Sequence, residues 1–78
     1  MNVDEIIQKS ETVLKQEYPT IELKKEFRKF QQYYYVYLDG QEQDISMSYD
    51  LLNTLVHSMT EREVIKEIST AFLYELKR

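Results

Sequence analysis

Few residues of this 78-residue sequence could carry out catalysis or hold a metal ion. There is no cysteine, so thiolate chemistry and disulfides are excluded. His57 is the single histidine, and Asp50 is the carboxylate with which it could form an acid–base couple. Gly40 is the single glycine, which excludes a glycine-rich phosphate loop. We therefore expect no enzymatic activity, no cofactor and no metal site.

The sequence instead concentrates residues that suit the binding of another protein. The stretch QQYYYVYLDGQEQD, residues 31–44, contains four of the seven tyrosines. Residues 30–61 hold five acidic residues and no Lys or Arg, a net charge of −5 in a chain whose total is −4. Tyrosine gives rigid contact area at low entropic cost, and carboxylates favour a basic partner. The candidate partner-binding residues are Tyr33, Tyr35, Tyr37, Asp39, Glu42, Asp44 and Asp50.

A β-hairpin is predicted to position the tyrosines. Asp39-Gly40 is a strong signal for a tight turn between two strands. A two-residue turn pairs Tyr37 with Glu42 and Tyr35 with Asp44. A four-residue turn would shift these pairs but keep the same residues on each face, because side chains alternate with a period of two.

The apolar residues of the second strand indicate which face of the hairpin is buried. Ile45 and Met47 fall on the same face as Tyr34 and Val36, so this face is predicted to join the core. The outward face then carries Tyr33, Tyr35 and Tyr37 beside Glu42, Asp44 and Ser46. Such a face could be a binding surface, or tyrosine could simply cover an exposed sheet.

Helices are predicted before and after the strands. Residues 3–18 form an amphipathic helix that Asn2 or Asp4 caps and that ends before Pro19. Residues 48–59 form a short helix, and the sequence from Thr60 to Glu63 is a capping box that begins a last helix to about residue 76. The core-facing positions are predicted to be Val3, Ile6, Ile7, Ser10, Val13, Leu14, Tyr18, Leu51, Leu52, Leu55, Val56, Met59, Val64, Ile65, Ile68, Ala71, Phe72 and Leu76.

Residues 20–30 fit a strand or a helix by periodicity, and Pro19 with the β-branched residues Thr20 and Ile21 favours a strand. The sequence therefore predicts an α+β fold over residues 1–78: a helix, a three-stranded antiparallel sheet, and two C-terminal helices packed on one sheet face. This is a single small domain. With no long apolar run and no signal-peptide pattern, we expect a soluble cytoplasmic protein that does not bind membranes.

In size, acidity and order of elements the chain resembles small phage-encoded inhibitors, in particular the acidic anti-CRISPR proteins that act on type II-A effectors. The residues that connect it to them are the acidic DGQEQD turn, residues 39–44, and Asp50. The resemblance implies a nucleic-acid mimic that blocks a basic, nucleic-acid-binding surface of a partner protein. It implies no direct binding of nucleic acid.

Two other functions fit parts of the sequence. A homodimeric structural or regulatory domain could bury Leu73 and Tyr74, which lie off the apolar stripe of the last helix, or it could bury the outward face with the tyrosines. A nucleic-acid binder could use the basic cluster Lys24, Lys25, Arg28 and Lys29, although the net negative charge disfavours it. The same cluster would also suit a solvated strand edge.

Overall fold

The computed structural model describes all residues, 1–78, and the chain runs through one helix, three strands and two helices. These are α1 (Val3–Leu14), β1 (Glu22–Arg28), β2 (Gln31–Leu38), β3 (Gln41–Ser48), α2 (Tyr49–Ser58) and α3 (Glu61–Leu76). The strands form one antiparallel sheet in the order β1-β2-β3, so β2 is central. The predicted α+β fold is confirmed, and residues 20–30 contain a strand rather than a helix.

The helices begin where local capping signals place them. The Asn2 side chain accepts a hydrogen bond from the amide of Glu5 at 2.8 Å, and Ser48 accepts from the amide of Leu51 at 3.1 Å. The capping box is present, because the Thr60 hydroxyl accepts from the Glu63 amide while the Glu63 carboxylate accepts from the Thr60 amide. Local capping residues therefore mark where these helices begin.

The first helix ends earlier than predicted. It stops at Leu14, and residues 15–17 form turns instead of continuing the helix to Tyr18. The early exit lets the chain return to the sheet with Ile21 fully buried, its amide donating to the carbonyl of Tyr18 at 3.0 Å. The chain thus buries an isoleucine where a longer helix would have carried it past the sheet.

The core lies between the three helices and one face of the sheet. Its thirteen buried apolar residues are Val3, Ile6, Ile7, Leu14, Ile21, Leu23, Tyr34, Val36, Leu52, Val56, Val64, Ile68 and Phe72. The prediction that Val13 and Leu51 face the core is wrong, because Val13 is 39% exposed and Leu51 is 49% exposed. Both lie at the margin of a helical stripe that is wider than the surface the helix actually buries.

Polar contacts join α1 to the sheet around the core. The Tyr34 hydroxyl donates a hydrogen bond to Asp4, and Lys25 Nζ lies 3.1 Å from the same carboxylate. Glu11 accepts the amide of Leu23 at 2.9 Å and so satisfies a backbone donor of β1, an edge strand. The helix is therefore fixed on the sheet by directional bonds as well as by apolar packing.

The register of the hairpin is as predicted near its turn and differs beyond it. Tyr37 pairs with Glu42 as expected, but Tyr35 pairs with Ser46 and not with Asp44. Asp44 adopts a left-handed backbone with φ 58°, a conformation that Asp tolerates better than most residues. The strand gains two residues at this irregularity. Because the shift is an even number, Ile45 and Met47 stay on the predicted side and both pack against the core.

Two tight turns join the strands, and both have left-handed backbone at their two central residues. Asp39 (φ 51°) and Gly40 (φ 77°) form the predicted turn. Lys29 (φ 53°) and Phe30 (φ 65°) form the other, where Asn-Gly or Asp-Gly would be the favoured pair. A bulky aromatic residue in this conformation is strained. The sequence did not predict this turn, because neither central residue is Gly, Asn or Asp.

Replacing Lys29→Asn together with Phe30→Gly should stabilise the fold. The left-handed backbone costs roughly 1–2 kcal/mol per ordinary residue, and the extra freedom of glycine in the unfolded chain cancels part of the gain. We expect a net gain of about 1 kcal/mol and a Tm higher by about 4–8 °C, measured by thermal and urea unfolding. Gly40→Ala is the control: it meets no atom within 4 Å but must adopt φ 77°, so it should destabilise the fold. Equal stability of all three proteins would contradict the strain.

The bond between Tyr34 and Asp4 should make stability depend on pH. The Tyr34 hydroxyl, more than any other group, holds the pKa of Asp4 below its ordinary value. Burial, together with Asp4, raises the pKa of Tyr34. A carboxyl group whose pKa is lowered by folding stabilises the fold at any pH above its ordinary pKa. This stability is lost as the pH falls through the lowered pKa. When the pH is lowered below about 4, the urea midpoint of the wild type should therefore decrease more than the urea midpoint of Asp4→Asn. Asp39→Asn removes an exposed carboxylate without such a bond and should behave as the wild type.

Candidate functional site

The open face of the sheet is the candidate functional site. Side chains alternate along β2, so burial of Tyr34 and Val36 turns the neighbouring tyrosines to the opposite face, where no helix covers them. All three of these tyrosines are half-buried by their neighbours. We call this surface the tyrosine face. It comprises Tyr33, Tyr35 and Tyr37 of β2, with Glu22, Lys24, Glu26 and Arg28 of β1 and Glu42, Ser46 and Ser48 of β3.

Sequence reasoning missed what β1 contributes to this face. Lys24 lies opposite Tyr35, and Glu26 lies opposite Tyr33. The signal was present, because alternation from the buried Leu23 turns Lys24, Glu26 and Arg28 to the other side. It could be interpreted only once residues 22–28 were known to be a strand that pairs with β2. The face predicted to be acidic is therefore of mixed charge.

Arg28 links all three strands across the tyrosine face. Its guanidinium bonds Glu26 of its own strand and lies 2.7 Å from Glu42 Oε1 on β3. Its Cζ atom also lies 3.8 Å from the centroid of the Tyr35 ring. The hydrogen bond to Glu42, then that to Glu26, raises the pKa of Arg28, so this cation stays charged. A planar guanidinium can stack on an aromatic ring while its edge bonds carboxylates.

The rings of the other tyrosines are held in a similar way. Tyr37 donates a hydrogen bond to Glu26, and Lys24 Nζ lies 4.6 Å from the centroid of the Tyr37 ring. Tyr33 packs on Tyr35 with ring centroids 5.7 Å apart and planes tilted by 55°. The hydrogen bond from Tyr37 lowers the pKa of Glu26, while Glu26 raises the pKa of Tyr37. The three rings are therefore held in place by contacts within the chain.

The predicted carboxylates occupy separate positions. Glu42 lies on the tyrosine face, Asp39 in the tight turn, and Asp44 at the irregularity of β3. Asp50 lies in the first turn of α2, at the opposite end of β3 from Asp39. Asp39, Asp44 and Asp50 are exposed and form no ion pair within the chain. The structure thus unites the tyrosines with Glu42 and leaves uncompensated negative charge beside them.

The basic cluster does not form one patch. Lys24 and Arg28 lie on the tyrosine face against aromatic rings, whereas Lys25 lies on the opposite face with Asp4. Lys24 and Lys29 have no ion-pair partner in the chain, and Lys24 instead lies over the Tyr37 ring. Alternation divides these cations between the two faces, and Lys25 and Arg28 are already paired with carboxylates, so the cluster offers a phosphate backbone no single basic patch.

His57 and Asp50 do not form a couple. Nδ1 of His57 lies 2.7 Å from the carbonyl oxygen of Asn53, one turn earlier in the helix. The Asp50 carboxylate forms no ion pair with the ring. No group of three or more His, Cys, Asp or Glu side chains is arranged to hold a metal ion. None of the helices combines the length and the apolar character needed to cross a membrane.

Comparison of the chain with protein-family models, with curated proteins and with solved structures finds no match. The resemblance to anti-CRISPR proteins therefore stays a prediction from size, charge and order of elements.

Removing the Tyr37 hydroxyl should raise the pKa of Glu26 towards the ordinary value of about 4.3, because that hydroxyl is the first cause of its lowering. We would follow the side-chain carboxyl carbon of Glu26 by NMR through a pH titration of Tyr37→Phe. Tyr33→Phe is the matched control, since Tyr33 lies opposite Glu26 but has no hydrogen bond to it. A Glu26 pKa that moves equally in both variants would contradict the assigned network.

Proposed function

We propose that this protein is a non-enzymatic binding module, a small acidic inhibitor that occupies a basic, nucleic-acid-binding surface of a partner protein. The tyrosine face makes the contact, together with the acidic end of the hairpin at Asp39 and Asp44. The observation that carries the proposal is the ordered row of three tyrosines on a sheet face that no part of the chain covers.

The energetics of interfaces support the tyrosine face as a contact surface. Tyrosine is enriched among residues that dominate binding energy, because it combines an apolar ring with a polar hydroxyl. Tyr35 is held between Arg28 and Tyr33, and Tyr37 between Lys24 and Glu26. Groups already fixed in place lose little entropy on binding, so more of the contact energy appears as affinity.

The distribution of charge supports a basic partner. On the tyrosine face, Arg28 is already neutralised by Glu26 and Glu42. The carboxylates of Asp39 and Asp44 have no such partner, so the hairpin end keeps its negative charge. Exposed carboxylates beside flat aromatic area suit a groove that normally receives phosphates and bases. Complementary charge would speed association and favour this class of partner.

Capture from a lysate of the native host tests the proposal. The wild-type protein should retain a basic nucleic-acid-binding protein, identified by mass spectrometry. Added DNA or RNA of the type that this partner binds should release the partner from the wild-type protein. With that partner purified, Tyr35→Ala should weaken binding about 30-fold, the effect of removing a residue worth ~2 kcal/mol. Tyr74→Ala, at an exposed tyrosine of α3, is the control and should bind as the wild type.

The role of the negative charge at Asp39 and Asp44 is tested with the same purified partner. Asp39→Lys with Asp44→Lys should slow association at low salt and reduce its salt dependence, whereas the off-rate should change less. Glu5→Lys with Glu17→Lys makes the same change of net charge on the helical side and serves as the control. A partner that binds the Tyr35→Ala variant and the hairpin variant as tightly as the wild type would refute the proposal.

A further inference from the structure

The turn between β1 and β2 presents apolar surface that the fold does not use. Phe30 is 94% exposed and Phe27 is 67% exposed, the two highest values among the large apolar side chains of the chain. Lys29 lies between them and is also exposed. We call Phe27, Lys29 and Phe30 the β1–β2 tip.

The backbone makes the exposure of Phe30 more informative. Phe30 occupies a left-handed position, φ 65°, that glycine or asparagine would fill without strain. The ring packs on no other part of the chain, so the folded monomer gains nothing from it. Strain that the fold does not need is a reason to look for an intermolecular contact.

A groove between β3 and α3 could receive such a side chain. It has a volume of about 420 Å³ and lies within the range of ligand pockets, roughly 300–1,000 Å³. Its apolar lining is partly open, since Tyr74 is 66% exposed. The residues that line it include Ile45, Met47, Ala71, Phe72, Tyr74 and Glu67.

Charge links the β1–β2 tip to this groove. Lys29 is an exposed cation without an ion-pair partner, and Glu67 is an exposed carboxylate of the groove without one. An apolar knob beside a free cation thus matches an apolar groove beside a free carboxylate. We infer that two copies of the chain associate, with Phe30 of one copy in the β3–α3 groove of the other and Lys29 beside Glu67. Ser46 is the one residue of the tyrosine face that also lines the groove, and none of the three tyrosines takes part, so this inference and the proposed function can fail separately.

Sedimentation velocity over a wide range of protein concentrations tests the self-association. The wild type should show a concentration-dependent rise in mass, and Phe30→Gly should weaken association roughly tenfold or more. Because Phe30→Gly also relieves strain in the turn, a loss of association cannot be attributed to unfolding, and circular dichroism would verify the fold. Leu51→Ser, at an exposed apolar residue of α2, is the control and should associate as the wild type.

Charge exchange identifies the two surfaces. Lys29→Glu and Glu67→Lys should each weaken association, and the double variant, which restores opposite charges across the contact, should recover it. A wild type that stays monomeric at the highest concentration would overturn the inference. So would a Phe30→Gly variant that associates as tightly as the wild type, or a double variant that is as weak as the two single variants.

Discussion

All three helices pack on one side of a three-stranded sheet, and this constraint decides what the rest of the molecule can do. The central strand β2 alternates its side chains, so it can bury only every second one. Burial of Tyr34 and Val36 therefore commits Tyr33, Tyr35 and Tyr37 to the uncovered face. The aromatic surface is a direct consequence of how the core is built.

A row of tyrosines on a sheet face that no helix covers needs support, and the flanking strands provide it. Arg28 spans the sheet from Glu26 to Glu42 while it stacks on Tyr35. Surface ion pairs contribute little to stability on their own, but a network can fix the geometry of the rings beside it. The same network neutralises Arg28, the cation that lies over Tyr35. The negative charge that could select a partner therefore lies at the hairpin end, next to the aromatic surface.

The two turns of the sheet solve one geometric problem with different residues. Asp39 and Gly40 adopt the left-handed backbone at little cost, whereas Lys29 and Phe30 adopt it under strain. The relaxed turn places free carboxylates at one end of the sheet, and the strained turn places an exposed phenylalanine at the other. The sheet thus presents two chemically different ends and an aromatic face between them.

The sequence by itself determined the features that depend on near neighbours. Asn2, the capping box at Thr60 and the Asp39-Gly40 turn act over a few residues, and the alternation of apolar residues placed the tyrosines outward. Tertiary structure alone decided the position of Asp44 away from Tyr35, the early end of α1, and the presence of Lys24 and Arg28 on the tyrosine face. These depend on strand register and on which surfaces the helices bury, and both are set by contacts between residues far apart in the chain.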